Sequence, residues 1–222
     1  MPPTVTPINL GSGTFGVNCY LLGVDDGFVL VDTGMRSQRA RLDERLAAEG
    51  CVPGELRLIV ITHGDFDHIG SAAHLRQAYD APIAMHTGDV SMAKEGDMFA
   101  GRTSASSVVK TLLPLLVRLP TADRFEPDVL LAEDSDLSEY GLGAAQVLLL
   151  RGHSAGSIAL LLEDGSLLCG DVLENRSAPK LGSIMDDVPA AEAALARLKT
   201  IHVGTVYPGH GRPFQLGEVQ AS

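Results

Sequence analysis

The chain has 222 residues, of which 45% are hydrophobic and 20% charged, a composition typical of a globular protein and not of a disordered one. Its 28 acidic and 17 basic residues give a net charge of −11, which disfavours nucleic acid as a partner because a polyanion-binding surface needs the opposite balance. No apolar stretch is long enough to span a bilayer and the first residues do not have the pattern of a secretory signal, so we expect a cytoplasmic protein without a membrane partner.

Two stretches of the sequence share one design. Residues 18–34, NCYLLGVDDGFVLVDTG, and residues 157–171, SIALLLEDGSLLCGD, each place an Asp-Gly pair between two apolar runs. This pattern predicts a β-hairpin, because glycine accepts the positive φ that a tight turn needs. The second strand of each hairpin ends at an aspartate, Asp32 or Asp171. The sequence therefore predicts two related halves that face each other, each delivering a carboxylate at the exit of its hairpin.

Helices and further strands are predicted between and after these hairpins. Apolar spacing predicts helices over residues 36–49, 71–79 and 189–199, and a β-rich apolar run predicts a strand over residues 58–62. The segment PIAM, residues 82–85, is predicted to be another strand. Strands flanked by helices in both halves indicate sheets that pack together with helices on the outside.

Residues 87–128 interrupt this alternation. They contain a serine-rich patch and the run VVKTLLPLLVRLP, in which Pro114 interrupts any long helix. We favour a core helix or a dimer-contact helix here, and a dimer-contact helix would imply a homodimer. The alternative is an apolar lid above a substrate pocket.

The densest group of polar side chains lies in VITHGDFDHIG, residues 60–70. This group follows an apolar strand and precedes a helix, and α/β folds place their sites on such loops. Residues two apart in an extended stretch point the same way, so we expect His63 and Asp65 to face one metal ion. The neighbours Asp67 and His68 are expected to diverge, which suits a second ion nearby. A polar loop with capping aspartates is the alternative, but capping does not explain two histidines.

Three further side chains follow apolar runs in the same way. They are His153 in LLLRGHSAGS, Asp171 in CGD and His210 in VYPGHGRP. The flanking glycines allow the backbone to pack tightly beside a cation while the imidazole projects into a site. Each residue alone is more typical of a buried structural position. Four of the seven histidines at strand exits nevertheless favour a shared metal site.

These segments resemble the metallo-β-lactamase superfamily, whose motif is an H-x-H-x-D-H cluster followed by separate His, Asp and His positions, with an early Asp at a strand end. The resemblance runs from Asn18 to Pro213 through VDTG, THGDFDHIG, GHSAGS, CGD and YPGHG. It implies a single domain over residues 1–222 with an α/β, four-layer αββα sandwich fold, in which residues 87–128 form a helical insertion. It also implies two metal ions at one edge between the two sheets.

The resemblance assigns seven side chains as metal ligands. Metal one would be bound by His63, Asp65 and His153, and metal two by Asp67, His68 and His210. Asp171 would bridge the two ions. Asp32 matches the early family aspartate, which orients the ligands from behind, and ligating imidazoles do need a fixed tautomer. The cofactors implied are two divalent metal ions, with zinc favoured and iron or manganese as alternatives.

Substrate contacts are less well marked in the sequence. His86 follows a predicted strand and Lys180 lies in a later loop, and both are weak candidates for contacting a substrate. Arg102 and Arg176 share with Lys180 a loop position from which they could meet an anionic group. For these three cations, however, solvated surface charges are the favoured interpretation.

Asp65 departs from the family motif, which has histidine there in most hydrolytic members. Two divalent ions bring about +4, three aspartates −3 and a hydroxide −1, so the assembled site is expected to be near neutral. Weaker Lewis acidity at metal one and a preference for harder ions such as iron or manganese would follow. Because Asp is shorter than His, we also expect metal one to be weakly bound or half-occupied.

The resemblance implies a metal-dependent hydrolase. A hydroxide held between the metals would attack the carbonyl of a small ester, thioester or lactone, and Asp67 would receive or deliver the proton as the catalytic carboxylate. One alternative is an iron-dependent oxidoreductase, either sulfur dioxygenase-like or with a diiron redox site, since related diiron reductases carry a carboxylate at the Asp65 position. The other is a metal-binding protein without turnover.

Overall fold

The structure is a computed structural model and describes residues 2–11, 16–102 and 118–219. Its strands are β1 (Thr4–Leu10), β2 (Val17–Val24), β3 (Gly27–Val31), β4 (Leu56–Ile61), β5 (Ile83–His86), β6 (Val129–Leu131), β7 (Gln146–Leu149), β8 (Ile158–Leu161), β9 (Leu167–Gly170), β10 (Leu173–Glu174), β11 (Lys180–Leu181), β12 (Thr205–Pro208) and β13 (Phe214–Gln215). Its α-helices are α1 (Arg39–Ala48), α2 (Phe66–Ile69), α3 (Ala72–Tyr79), α4 (Val90–Glu95) and α5 (Val188–Leu198).

Two large sheets form the centre of the molecule. The first has six strands in the order β1-β2-β3-β4-β5-β6, antiparallel from β1 to β3 and parallel from β3 to β6. The second has five strands in the order β13-β12-β9-β8-β7, in which β9 and β12 are parallel. The short strands β10 and β11 pair separately.

Alternating side chains along the strands divide the buried residues into three apolar layers. Val29 of β3 and Val60 of β4 lie in the layer shared with residues of the second sheet, such as Leu160. Leu30, between Val29 and Val31, belongs instead to the layer that includes residues of α1 and α3, because successive side chains of a strand point to opposite faces. A third layer joins the second sheet to α5, which contributes Leu195 and Leu198. The result is the αββα sandwich that the sequence predicts.

Both predicted hairpins are present. In the first, β2 and β3 are antiparallel with Val24 opposite Gly27, whose φ is 132°, so the turn is formed at residues 25–26. In the second, β8 and β9 are antiparallel and Gly165 has a φ of 85°. The predicted helices and strands match α1, α3, α5, β4 and β5 to within a few residues, except that a 3₁₀ turn over Arg36–Gln38 precedes α1.

The segment 87–128 is described only in part. Its first part holds α4, whose Met92 is buried, and Met98 and Leu119 are buried on either side of the gap. The serine-rich patch and most of the run around Pro114 lie outside the described residues, so a lid and a dimer contact both stay predictions. In the part of the chain that the structure describes, no helix has the length and apolar character required to cross a membrane.

Candidate metal centre

The predicted ligands come from four loops that each follow a strand. The loop after β4 carries His63 and Asp65 and continues into α2 with Asp67 and His68. The loops after β7, β9 and β12 carry the other three, which are His153, Asp171 and His210. A backbone hydrogen bond from Ile158 to the carbonyl of Thr62, 2.9 Å long, ties the first sheet to the second beside this cluster.

The first triplet is His63, Asp65 and His153. Nε2 of His153 lies 3.1 Å and Nε2 of His63 lies 3.8 Å from Oδ2 of Asp65. The three potential ligand atoms all lie within 4.8 Å of one another, and all three residues are buried. His63 and Asp65 therefore do face one point, as expected from their spacing.

The second triplet is Asp67, His68 and His210. Oδ2 of Asp67 lies 3.3 Å from Nε2 of His210 and 4.0 Å from Nε2 of His68. The prediction that Asp67 and His68 diverge is wrong, because residues 66–69 form the helical turn α2 and not an extended stretch. Asp65 stands at the N-cap of α2 but its side chain accepts no capping hydrogen bond, so its carboxylate remains directed at the cluster.

Asp171 lies between the two triplets. Its Oδ1 is 3.4 Å from Nε2 of His68 and its Oδ2 is 3.2 Å from Nε2 of His210. It also groups with His63 and His68 as a third potential ligand set. Gly209 is required for this arrangement, because a Cβ there would collide with Oδ1 of Asp171 and lie 2.7 Å from Cε1 of His68.

Asp32 supports two imidazoles from behind. Its Oδ2 accepts hydrogen bonds from Nδ1 of His68 at 2.8 Å and from the Thr62 hydroxyl at 2.7 Å. That hydroxyl oxygen in turn lies 3.0 Å from Nδ1 of His63, positioned to accept its proton. Asp32 adopts the left-handed conformation, with φ of 61°, which aspartate tolerates better than most residues.

The other two histidines are held in the same tautomer by backbone carbonyls. Nδ1 of His153 donates to the carbonyl of Ile184 at 2.6 Å, and Nδ1 of His210 donates to that of Gly16 at 3.0 Å. An acceptor on Nδ1 places the proton there and leaves a lone pair on Nε2. All four imidazoles of the cluster therefore present Nε2 toward the carboxylates.

Unpartnered buried atoms test whether this cluster suits metal ions. Nε2 of His63, Nε2 of His68 and Oδ1 of Asp171 are buried and have no hydrogen-bond partner among the described residues. Buried acceptors without a donor are costly, and a cation between them would remove the cost. Imidazole nitrogens and carboxylate oxygens are suitable ligands for zinc, iron and manganese. The residues therefore fit divalent metal ions.

The protein alone distributes charge unequally over the cluster. Burial lowers the pKa of His63 well below its usual value, and the neighbouring His68 lowers it further. Burial also opposes protonation of His68, but the charges of Asp171 and Asp32 raise its pKa well above the usual value. Burial is likewise outweighed at His210, whose hydrogen bonds to Asp171 and Asp67 raise its pKa to about 9. Negative charge is thus concentrated around the second triplet.

Arg102 lies inside the cluster. Its side chain is only 3% exposed, and Nη2 lies 2.8 Å from Oδ1 of Asp65 and 3.4 Å from Nε2 of His153. Its Nε lies 3.2 Å from a carboxylate oxygen of Asp186. Interpreting Arg102 as a solvated surface charge is therefore wrong. The charge count made from the sequence includes neither this guanidinium nor Asp186, and because their charges are opposite the near-neutral total stays a prediction.

The weaker substrate candidates are engaged elsewhere. Nζ of Lys180 is 3.1 Å from a carboxylate oxygen of Glu174, and Arg176 pairs with the same buried carboxylate at 3.3 Å. Nδ1 of His86 accepts a hydrogen bond from the amide of Gly88 at 3.0 Å. Contacts of Lys180 and His86 with a substrate stay predictions.

Asp89 is a positioning residue that the sequence reasoning missed. It is fully buried, and its Oδ2 accepts hydrogen bonds from the amide of Gly64 at 2.9 Å and the hydroxyl of Ser154 at 2.6 Å. It thereby joins the two loops that carry the first triplet. Asp89 follows strand β5, so the strand-exit rule that selected Asp171 would also have selected it.

Comparison with known proteins agrees with this geometry. The family model of the metallo-beta-lactamase superfamily matches residues 12–210. The chain is 28% identical over 204 residues to the probable metallo-hydrolase YflN of Bacillus subtilis, covering 84% of this chain and 76% of that protein. It is 29% identical over 232 residues to the human acyl-coenzyme A thioesterase MBLAC2, covering 93% and 81%.

A solved structure is similar over nearly the whole chain. The crystal structure of TTHA1623 in a di-iron-bound form superposes with a TM-score of 0.71 at 28% identity, covering 96% of this chain and 95% of that one. The fold, the cluster of histidines and aspartates and the family match agree. The chain belongs to the metallo-β-lactamase superfamily.

Proposed function

We propose that the chain is a binuclear metal-dependent hydrolase that acts on a small ester, thioester or lactone. The observation that carries the proposal is the arrangement of seven side chains into two triplets joined by Asp171. Four imidazoles with fixed tautomers and three carboxylates make a ligand set for two divalent ions, with zinc favoured and iron or manganese as alternatives.

Metal ions at such sites supply a nucleophile at neutral pH and polarise a substrate carbonyl. Among the chain's own residues, Asp67 is the candidate for handling the proton. Its side chain is 15% exposed, whereas that of His63 is 1% exposed, so Asp67 lies nearer to the open side of the cluster. Its Oδ2 is directed toward Nε2 of His210 at 3.3 Å, and Oδ1 is left to accept a proton from the attacking water and return it to the leaving group.

The substrate class is supported by a cavity beside the acidic loop. Phe66, between Asp65 and Asp67, lines a space of about 340 Å³ together with Met35, Leu119 and Pro120. Arg36 and Arg118 also line this space, so its lining is partly charged and partly apolar. An apolar acyl group would fit such a lining. The similarity to an acyl-coenzyme A thioesterase, and the 30% identity over 192 residues to a hydroxyacylglutathione hydrolase of Anaeromyxobacter dehalogenans, support a thioester in particular.

Iron-dependent redox chemistry is the second candidate. It is favoured by the di-iron-bound form of TTHA1623, which is 28% identical to this chain. Asp65 adds an oxygen ligand to the first triplet, and oxygen ligands shift metal preference toward harder ions. Such a protein would be isolated with iron, would consume oxygen together with a persulfide, and would leave esters intact.

The test is elemental analysis of protein purified without added metal, followed by assays with that same metal. We expect about two metal ions per chain and hydrolysis of a thioester, ester or lactone in a panel that also contains phosphodiesters. Oxygen consumption with a persulfide, without hydrolysis, would replace the proposal with the redox alternative. A fully loaded protein that turns over no substrate would indicate a metal-binding protein.

A further inference from the structure

Arg102 brings a fixed positive charge into the first triplet. Its guanidinium touches two of the three residues of that triplet, Asp65 at 2.8 Å and His153 at 3.4 Å. On its other side it is paired with Asp186 at 3.2 Å. Because its side chain is 3% exposed, water screens this charge very little.

The two oxygens of Asp65 are used differently. Oδ1 contacts Arg102, whereas Oδ2 faces Nε2 of His153 and of His63. A metal ion bound to the first triplet would share the Asp65 carboxylate with the guanidinium. The negative charge that Asp65 adds to the cluster is therefore partly offset within the protein by Arg102, which also pairs with Asp186.

The second triplet has no described counterpart of Arg102. Asp67 and Asp171 both lie within 3.3 Å of Nε2 of His210, and Asp32 adds a third carboxylate behind His68. Among the described residues, the ion pairs of these three aspartates are all with histidines of the cluster. The electrostatic attraction for a divalent ion is consequently stronger at the second triplet than at the first.

We propose that Arg102 is a built-in cation matched to Asp65, which makes the first site bind a metal ion more weakly than the second. This inference rests on the proposed two-metal centre and adds the order in which it fills. Arg102 offsets the charge of Asp65 but also pairs with Asp186, so these three side chains together carry one negative charge, whereas Asp67, Asp171 and Asp32 carry three. Removing Arg102 makes the surroundings of the first site more negative and should strengthen its attraction for the ion, and removing Asp65 makes them more positive and should weaken it.

The test is a zinc titration of the metal-depleted protein against a chromogenic chelator, with anomalous diffraction to assign each ion to a site. The wild-type protein should bind two zinc ions with separate affinities, the second triplet filling first. Arg102→Gln keeps a polar side chain at this position but removes the charge, and should tighten the first site by on the order of tenfold or more without changing the second. Arg76→Gln, at a surface arginine that pairs with Asp128, is the matched control and should change neither site.

A second pair of variants tests the matching itself. Asp65→His removes one of the two carboxylates that pair with Arg102 and should weaken zinc at the first site, and adding Arg102→Gln to that variant should strengthen it again. This double variant lacks the charges of both residue 65 and residue 102, so it also serves if Arg102→Gln alone does not fold.

Two outcomes overturn the inference while leaving the two-metal centre intact. One is equal affinity of the two wild-type sites, and the other is a first site that Arg102→Gln leaves unchanged or weakens. Failure of every variant to bind zinc would overturn the two-metal centre itself, and the inference with it.

Discussion

The two triplets of the cluster each consist of two histidines and one aspartate but differ in what surrounds them. Behind the second triplet stands Asp32, a carboxylate that holds His68 and adds negative charge. Against the first triplet stands Arg102, a guanidinium that contacts Asp65 and His153. The residues of a triplet alone therefore do not set the charge around it, because Asp32 and Arg102, which are distant in sequence, surround the two triplets differently.

The largest effect should follow from removing the residue that both triplets share. Asp171→Ala takes away a carboxylate that lies 3.2 Å from His210 and 3.4 Å from His68 and that also groups with His63. We expect metal content to fall below one ion per chain and hydrolysis to fall to background. Asp164→Ala, in the turn of the same hairpin, is the control and should retain both ions. Two ions retained in the Asp171 variant would show that Asp171 bridges nothing.

A smaller effect, concentrated at the second triplet, should follow from Asp32→Asn. Asparagine also tolerates the left-handed backbone, but it removes the charge that holds Nδ1 of His68. We expect metal affinity at the second site to fall by about 10- to 100-fold, the usual cost of losing a residue that orients a ligand. Competition titration with a chelator would measure it.

Asp80→Asn is the matched control for that variant, because Asp80 is an exposed aspartate with φ of 55°. It should leave both affinities unchanged. Asp32 also supports His63 through Thr62. Equal loss of metal affinity at both sites in Asp32→Asn would therefore contradict the expectation that Asp32 acts mainly on the second triplet.

The corresponding variant at the first triplet is Asp89→Asn. Its amide cannot accept all the hydrogen bonds that Asp89 takes from Gly64, Ser154 and Gly156. Losing one charge-assisted bond should lower the free energy of unfolding by about 1.5–3 kcal/mol, measured by urea denaturation. The first site should also weaken more than the second, because Gly64 and Ser154 adjoin its ligands. Asp136→Asn, at an exposed aspartate that accepts one bond from Ser138, should do neither.

The smallest effect is expected at Lys180. Its side chain is 51% exposed, and its partner Glu174 also pairs with Arg176. Lys180→Ala should therefore change the free energy of unfolding by less than about 1 kcal/mol. kcat/KM for the substrate found in the panel should stay within about twofold. A large rise in KM would instead support the direct contact with an anionic substrate that the sequence suggests.

The sequence predicts well which side chains lie together, because each of them follows a local pattern. Asp32 and Asp171 end strands of hairpins marked by Asp-Gly turns, and His153 and His210 follow apolar runs beside glycines. Such strand exits lie at one edge of a layered fold. A pattern visible within about ten residues therefore predicts that side chains far apart in the chain lie close together in space.

The remaining features depend on contacts that no local pattern shows. Asp67 and His68 converge because α2 is helical, whereas alternation along a strand would separate them. Arg102 reaches Asp65 across 37 positions of sequence from an irregular segment, and nothing in its neighbours distinguishes it from a surface arginine. The charged groups around Asp65 could therefore not all be identified from the strand-exit residues alone.

The most direct test of the two-triplet metal centre is anomalous diffraction from a crystal of the zinc-loaded protein, collected on both sides of the zinc absorption edge. We predict two anomalous peaks, one among His63, Asp65 and His153 and the other among Asp67, His68 and His210, with Asp171 between them. Zinc bound elsewhere, or no peak between these side chains at saturating zinc, would contradict the account.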